Sequence, residues 1–181
     1  MKKDEDIWND DVLIKAINDN KIVVIPTDTI YGIVGKALDV SVVNHIYSLR
    51  RRSPQKPCII LIGDISEIEK FYIKLTPEQK TTIKKYWPGP VSIIFDCPNQ
   101  ELVYLHRGTN SLAIRFPYEV SLQKFLLKTG PLIAPSANTE GGIPSTSVEE
   151  AKKYFGDKVS LYLDGGKIIK KPSKIIRLYK D

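Results

Sequence analysis

Two stretches of the chain are apolar without a break and rich in β-branched residues: positions 22–25, Ile-Val-Val-Ile, and positions 57–62, Pro-Cys-Ile-Ile-Leu-Ile. A strand with one wet face alternates apolar and polar residues, whereas a strand covered on both faces has no need to. Both runs therefore predict strands buried between layers. The first is ended by Pro26, which lacks a backbone donor, and opens into a polar turn, Thr27-Asp28-Thr29-Ile30-Tyr31-Gly32. Helical spacing of Val12, Leu13, Ala16 and Ile17 predicts a helix over residues 12–18, capped by Asp10 or Asp11. The spacing of Val42, Val43, Ile46, Tyr47 and Leu49 predicts a second, starting at Asp39 or Ser41 and ending near Arg52, because Ser53-Pro54 disfavours helical geometry. A helix of this length between two such strands suggests a crossover unit, with helices on the faces of a sheet.

The pattern continues in the same manner. Residues 66–86 read as helical, with a restart at Thr76-Pro77, and Trp87-Pro88-Gly89-Pro90 forces a tight connection into a strand at 91–95. Residues 102–105 form a shorter candidate strand. Residues 111–116 form another, which places Arg115 opposite Ile114 and Phe116. A helix over 119–128 and a strand at 131–134 lead to a polar loop, 135–146, longer than the ~4–6 residues usual for a connection. Ser147 and Glu150 read as a capping box for a helix to Phe155, and strands at 159–163 and 175–178 close the pattern around Asp164-Gly165-Gly166. The expected fold is one α/β domain over 1–181, a twisted, mostly parallel or mixed open sheet flanked by helices.

Composition narrows the class. The chain has 181 residues, 42% hydrophobic and 27% charged, which suits one globular domain. No apolar run nears the ~18 residues of a membrane span. The start, Met1 to Asp6, is charged and of mixed sign, unlike a secretory signal, so the expected location is the cytoplasm, with no membrane partner. Cys58 and Cys97 lack paired ligand spacing and read as small hydrophobes. The net charge of +6 favours anionic partners, and four cations, Arg50, Arg51, Arg52 and Lys56, are clustered. No glycine-rich phosphate loop is present, so a phosphate would be held by side-chain cations, a task for which the planar arginine fork is suited. Short polar or basic groups stand at three strand ends: Thr27 to Tyr31, Arg115, and Ser136 to Asn138. Ordinary turn chemistry and a solvated helix end would give the same residue types.

The order of these motifs decides between the two. Pro26-Thr27-Asp28-Thr29-Ile30-Tyr31-Gly32, Arg50-Arg51-Arg52-Ser53-Pro54-Gln55-Lys56, Trp87-Pro88-Gly89-Pro90, Arg115-Phe116-Pro117, Ser136-Ala137-Asn138 and Pro172-Ser173-Lys174-Ile175-Ile176-Arg177 together resemble the YrdC-like threonylcarbamoyl-AMP synthases. Arg50 stands where that family has lysine, Ser53 where it has proline, and Lys174 where threonine is usual. The resemblance implies a YrdC-like fold with a basic concave cleft. It also implies synthesis of L-threonylcarbamoyl-AMP from L-threonine, bicarbonate and ATP, with magnesium on the ATP and release of pyrophosphate, for modification of tRNA adenosine 37. It assigns Arg50, Arg52 and Lys56 to catalysis; Thr29, Tyr31, Arg115 and Ser136 to threonine; and Arg50, Arg52, Lys56, Ser136, Asn138, Thr146 and Arg177 to ATP. Further implied partners are tRNA and a downstream threonylcarbamoyl-transferase complex. No metal ligand from the protein is assigned, although Asp28 can serve a magnesium shell or orient an arginine.

Such chemistry needs alignment and charge neutralisation more than a covalent nucleophile, which fits a chain whose two histidines, His45 and His106, read as structural or surface groups. Two other readings compete. A non-catalytic RNA-binding module would use a basic concave sheet to hold phosphates, but the sequence lacks an aromatic pair at strand spacing. A carbamoyl-transfer domain of a hydrogenase-maturation protein would share the fold, but the accompanying zinc-finger cysteines are absent.

Overall fold

The carboxylate of Asp10 accepts the backbone N–H groups of Val12 and Leu13, at 2.7 and 3.1 Å, and so starts α1 (Asp11–Asn18). Asp39 starts α2 (Val40–Arg50) in the same way, through Val42, and Thr76 with Gln79 forms a reciprocal capping box at α3 (Pro77–Ile83). The structure, a computed structural model, describes residues 6–178, so the charged start at 1–5 lies outside it. The remaining helices are α4 (Val103–His106), α5 (Val120–Thr129) and α6 (Val148–Phe155). The described residues form eight strands: β1 (Val23–Pro26), β2 (Tyr31–Lys36), β3 (Ile59–Leu61), β4 (Val91–Asp96), β5 (Ser111–Arg115), β6 (Leu132–Ile133), β7 (Leu161–Tyr162) and β8 (Lys174–Arg177).

They form one mixed sheet in the order β7-β1-β2-β6-β3-β5-β4-β8. β1 runs antiparallel to β2, β2 to β6, and β6 to β3, so β1 and β3 point in opposite directions. The crossover is therefore made from β2 through α2 to β3, not from the 22–25 run, and it skips the place that β6 later fills. The apolar runs at 22–25 and 57–62 are nonetheless covered on both sides. Ile22, Val24, Ile33, Ile60 and Ile133 join the cluster that holds Val42, Val43 and Ile46 of α2. Val23, Ile25, Val34, Leu61 and Leu132 join the other, with Leu13 and Ile17 of α1 and Leu122, Phe125 and Leu126 of α5. Gly35 is required by the first layer: a Cβ there would lie 2.4 Å from Val42 Cγ1.

Two local expectations are revised. Residues 102–105 are helical, not extended, because Asn99 caps the turn below them through Glu101 N–H at 2.9 Å, and a four-residue apolar run carries no period of its own. Ser147 caps α6, but the Glu150 carboxylate turns to the N–H and hydroxyl of Thr146 rather than back to Ser147. His106 is structural, as expected: it is buried, with Nδ1 on the Gly108 N–H and Nε2 facing the Asn99 carbonyl. Both cysteines are buried and unpaired. No helix among the described residues is long and apolar enough to cross a membrane.

Candidate active site

The β1–β2 turn is tied by one hydroxyl. Thr27 Oγ1 donates to the Ile30 carbonyl at 2.7 Å and receives the N–H groups of Thr29 and Ile30 at 3.2 and 3.3 Å. This holds Thr29 and Asp28 inward; both are buried. The Gly32 backbone bridges to Ser136, and the Ile33 N–H donates to the Pro135 carbonyl at 3.0 Å, which brings the loop after β6 onto the turn. Arg115, at the end of β5, reaches the same place. Its Nη2 lies 3.0 Å from Asp28 Oδ1 and 3.4 Å from Thr27 Oγ1. Neither Asp28 oxygen has an aligned hydrogen bond and Arg115 Nε has no partner, so charge alone holds this buried pair. Burial pushes the Asp28 carboxyl up, against the pull of Arg115. Tyr31 Oη donates to the Gly166 carbonyl at 2.7 Å and accepts the Gly165 N–H at 3.0 Å, which pins the 164–173 segment across the turn. Thr29, Tyr31, Arg115 and Ser136, with Pro144, Pro172 and Ser173 above them, line a cavity of about 120 Å³.

A second cavity, of about 400 Å³, lies on the other side of Ile59 and Ser136, which line both. Its charged lining residues are Arg50, Arg52 and Arg177, set over an apolar floor that includes Ile94, Ala113 and Ile175. Arg50 is 3% exposed and anchored on one side only. Nε donates to the Asn138 carbonyl at 2.9 Å and Nη2 to Ser136 Oγ at 3.2 Å, while Nη1 is buried without a partner. The guanidinium lines the cavity with its charge, and an anion bound there would be drawn to it. Arg52 is steadied by the carbonyls of Lys56 and Pro57, each at 2.9 Å, and Arg177 by Asp96 and Ser111, each at 3.2 Å.

Three residues expected at the nucleotide stand outside both linings. Asn138 donates to the carbonyls of Thr139 and Gly142, at 2.7 and 2.9 Å, and accepts Arg50 on its own, so it orders the loop. Lys56 is paired with Glu140 at 2.7 Å, and the hydroxyl of Thr146 donates to Glu150 at 3.1 Å. The sequence assigned no site role to Glu140 or to residues 164–171. The signals were present: a lone acid in a polar loop opposite four clustered cations, and the Gly165-Gly166 pair, where a Cβ on Gly165 would lie 2.7 Å from Pro26.

The family model Sua5/yciO/yrdC, described as telomere recombination, matches residues 15–181. A threonylcarbamoyl-AMP synthase of Pyrococcus abyssi is 31% identical over 162 residues, covering 88% of this chain and 47% of the relative. One from Bacillus subtilis is 30% identical over 168 residues, covering 90% and 49%. The chain thus spans about half the length of these relatives. The crystal structure of P. abyssi Sua5 complexed with L-threonine superposes with a TM-score of 0.85 at 28% identity, covering 98% of this chain and 52% of that one. Sequence match, sheet order and the paired cavities lead to one statement: the chain belongs to the Sua5/YciO/YrdC family.

Proposed function

We propose that this protein joins L-threonine, bicarbonate and ATP to form L-threonylcarbamoyl-AMP, with release of pyrophosphate and water. The observation that carries the reading is the shared wall at Ser136 and Ile59, with a small polar cavity on one side and an arginine-lined cavity on the other. The complex of a related Sua5 with L-threonine and the naming of related chains as threonylcarbamoyl-AMP synthases support it. The non-catalytic RNA-binding reading draws no support from either.

The small cavity suits a compact zwitterion. Arg115 would pair the threonine carboxylate, Thr29 would meet its hydroxyl, and Tyr31 would act by fixing the 164–166 backbone as a roof. A carbamate formed on the threonine nitrogen would point toward Ser136 and the arginines. Its oxygen then attacks the α-phosphorus, the bond from that phosphorus to the β-bridging oxygen breaks, and pyrophosphate leaves with the electron pair. Arg50, Arg52 and Arg177 would neutralise the charge that develops, in a cavity whose apolar floor lowers the local dielectric. Lys56, Asn138 and Thr146 would contribute by holding the surrounding segments. Arginines do not ligate a cation, so magnesium would travel on the triphosphate and add charge neutralisation there. The product would pass, in the cytoplasm, to a threonylcarbamoyl-transferase complex acting on adenosine 37 of tRNA.

The test is pyrophosphate release with each substrate omitted in turn. Release that depends on threonine and bicarbonate together is the expected result; release indifferent to threonine would rule the reading out.

A further inference from the structure

We propose that Glu140 is a positioning residue that sets the arginines of the larger cavity, and that it does so by clamping the turn at residues 53–56. The inference rests on the synthase reading above and names a part that neither the family resemblance nor the relatives assign.

Glu140 touches the basic segment at three points. Its backbone N–H donates to the Arg50 carbonyl at 2.8 Å. One carboxylate oxygen accepts the Ser53 N–H, and the other meets Lys56 Nζ at 2.7 Å. Ser53 and Lys56 are the two ends of one turn, closed by the Lys56 N–H on the Ser53 carbonyl at 3.2 Å. The carbonyls that emerge from this turn, those of Lys56 and Pro57, receive Nε and Nη2 of Arg52. A continuous set of contacts therefore runs from the Glu140 carboxylate through the turn to the Arg52 guanidinium. A parallel one runs through the Arg50 backbone to its guanidinium, which lines the cavity.

Glu140, Ser53 and Lys56 themselves line neither cavity, so the carboxylate does not compete with a bound phosphate. Its effect is exerted at a distance of two residues, on where the guanidiniums stand. Lys56 gives the carboxylate its strongest hold, and the Ser53 N–H adds to it, which holds the Glu140 carboxyl below its ordinary range. An uncharged amide would keep one N–H contact and lose the pull on Lys56.

The experiment uses the full chain and measures KM for ATP and for threonine in the pyrophosphate-release assay, with direct titration of ATP beside it. For Glu140→Ala, KM and Kd for ATP rise about tenfold, equivalent to about 1.4 kcal/mol, and KM for threonine stays within about twofold. Glu140→Gln gives a smaller rise, about threefold, as one charge-assisted contact becomes neutral. It also serves if the alanine variant folds poorly. A purely structural role would change both KM values together or lower only the melting temperature, and either outcome overturns the assignment, as does an unchanged ATP affinity. A wild-type chain that binds ATP but releases no pyrophosphate in response to threonine refutes the synthase reading instead, while the ATP titrations still decide the role of Glu140.

Discussion

Replacing Arg50 with methionine separates two reasons for keeping a buried charge. The side chain makes a 2.9 Å bond to the Asn138 carbonyl and a 3.2 Å bond to Ser136 Oγ, with a weaker 3.5 Å approach to Asn138 Oδ1. Bonds to a charged group contribute roughly 1.5–3 kcal/mol each, so the two good ones are worth about 3–6 kcal/mol. Against them stands the desolvation of a guanidinium that is 3% exposed, several kcal/mol per ion, and burial is also what draws the Arg50 pKa down most. The two nearly cancel, and methionine refills the space of the stem. Arg50→Met should therefore melt within about 5 °C of wild type, since 1 kcal/mol corresponds to about 2–4 °C in a chain of this size. Nucleotide affinity should behave differently, because the guanidinium that lines the cavity takes its charge with it. A charged bond of about 1.5–3 kcal/mol corresponds to a rise in Kd for ATP of roughly 10- to 150-fold. Calorimetric titration of ATP, paired with thermal melting, reads both quantities on one preparation. A variant that melts normally and binds ATP as tightly as wild type would refute the placement of phosphate in the arginine cavity.

Arg52→Ala should raise KM for ATP far more than KM for threonine, and equal losses in steady-state titrations would remove its assignment to phosphate. Turnover should rank threonine, then serine, then valine, because a site that hydrogen-bonds a hydroxyl rejects an analogue lacking it by as much as ~10⁴-fold; valine matching serine in pyrophosphate release would exclude a hydroxyl contact at Thr29. Gly35→Ala should destabilise by about 1–3 kcal/mol, since its Cβ would press on Val42 at 2.4 Å, and an unchanged urea midpoint would contradict that packing. The pH dependence of KM for ATP follows from Glu140. Its pKa is depressed in the fold, so the stability it contributes is complete above the ordinary carboxylate range and is lost only as pH falls through the lower folded value. The ratio of KM for ATP between Glu140→Gln and wild type, in which the ionisation of the substrates themselves cancels, should stay constant from neutrality down through the ordinary carboxylate range, and a ratio that begins to fall near neutral pH would argue against the clamp.

The sequence makes buried strands legible wherever apolar residues run unbroken, and it makes helix starts legible wherever Asp10, Asp39 or Thr76 precedes a period of 3.6. It does not make strand order legible. Whether 22–25 and 57–62 run side by side depends on β6, a two-residue strand whose claim to the centre of the sheet lies in contacts with residues roughly 70–100 positions away. The site divides in the same way. The turn at 27–32 and Arg115 could be placed because each stands at a strand end. The neighbours of Lys56, Asn138 and Thr146 could not, since a carbonyl or carboxylate partner across a loop leaves no periodic trace. Glu140 illustrates the point: in sequence it is one acid among polar residues, and only the fold sets it on the Ser53–Lys56 turn.

The placement of β6 between β2 and β3 also governs when the site can exist. The turn that carries Thr29 and the segment that carries Arg50 and Arg52 emerge early in synthesis, within the first third of the chain. They remain two separate hairpin and crossover pieces until residues 132–133 arrive to join them. Ser136, common to both cavities, follows three residues later. Pairing over such separations is slow relative to local turns and helices, so the closing of the sheet and the completion of the site are one late step. A nascent chain stalled before that point would have most of the motifs but no enclosed place in which to bring two substrates together.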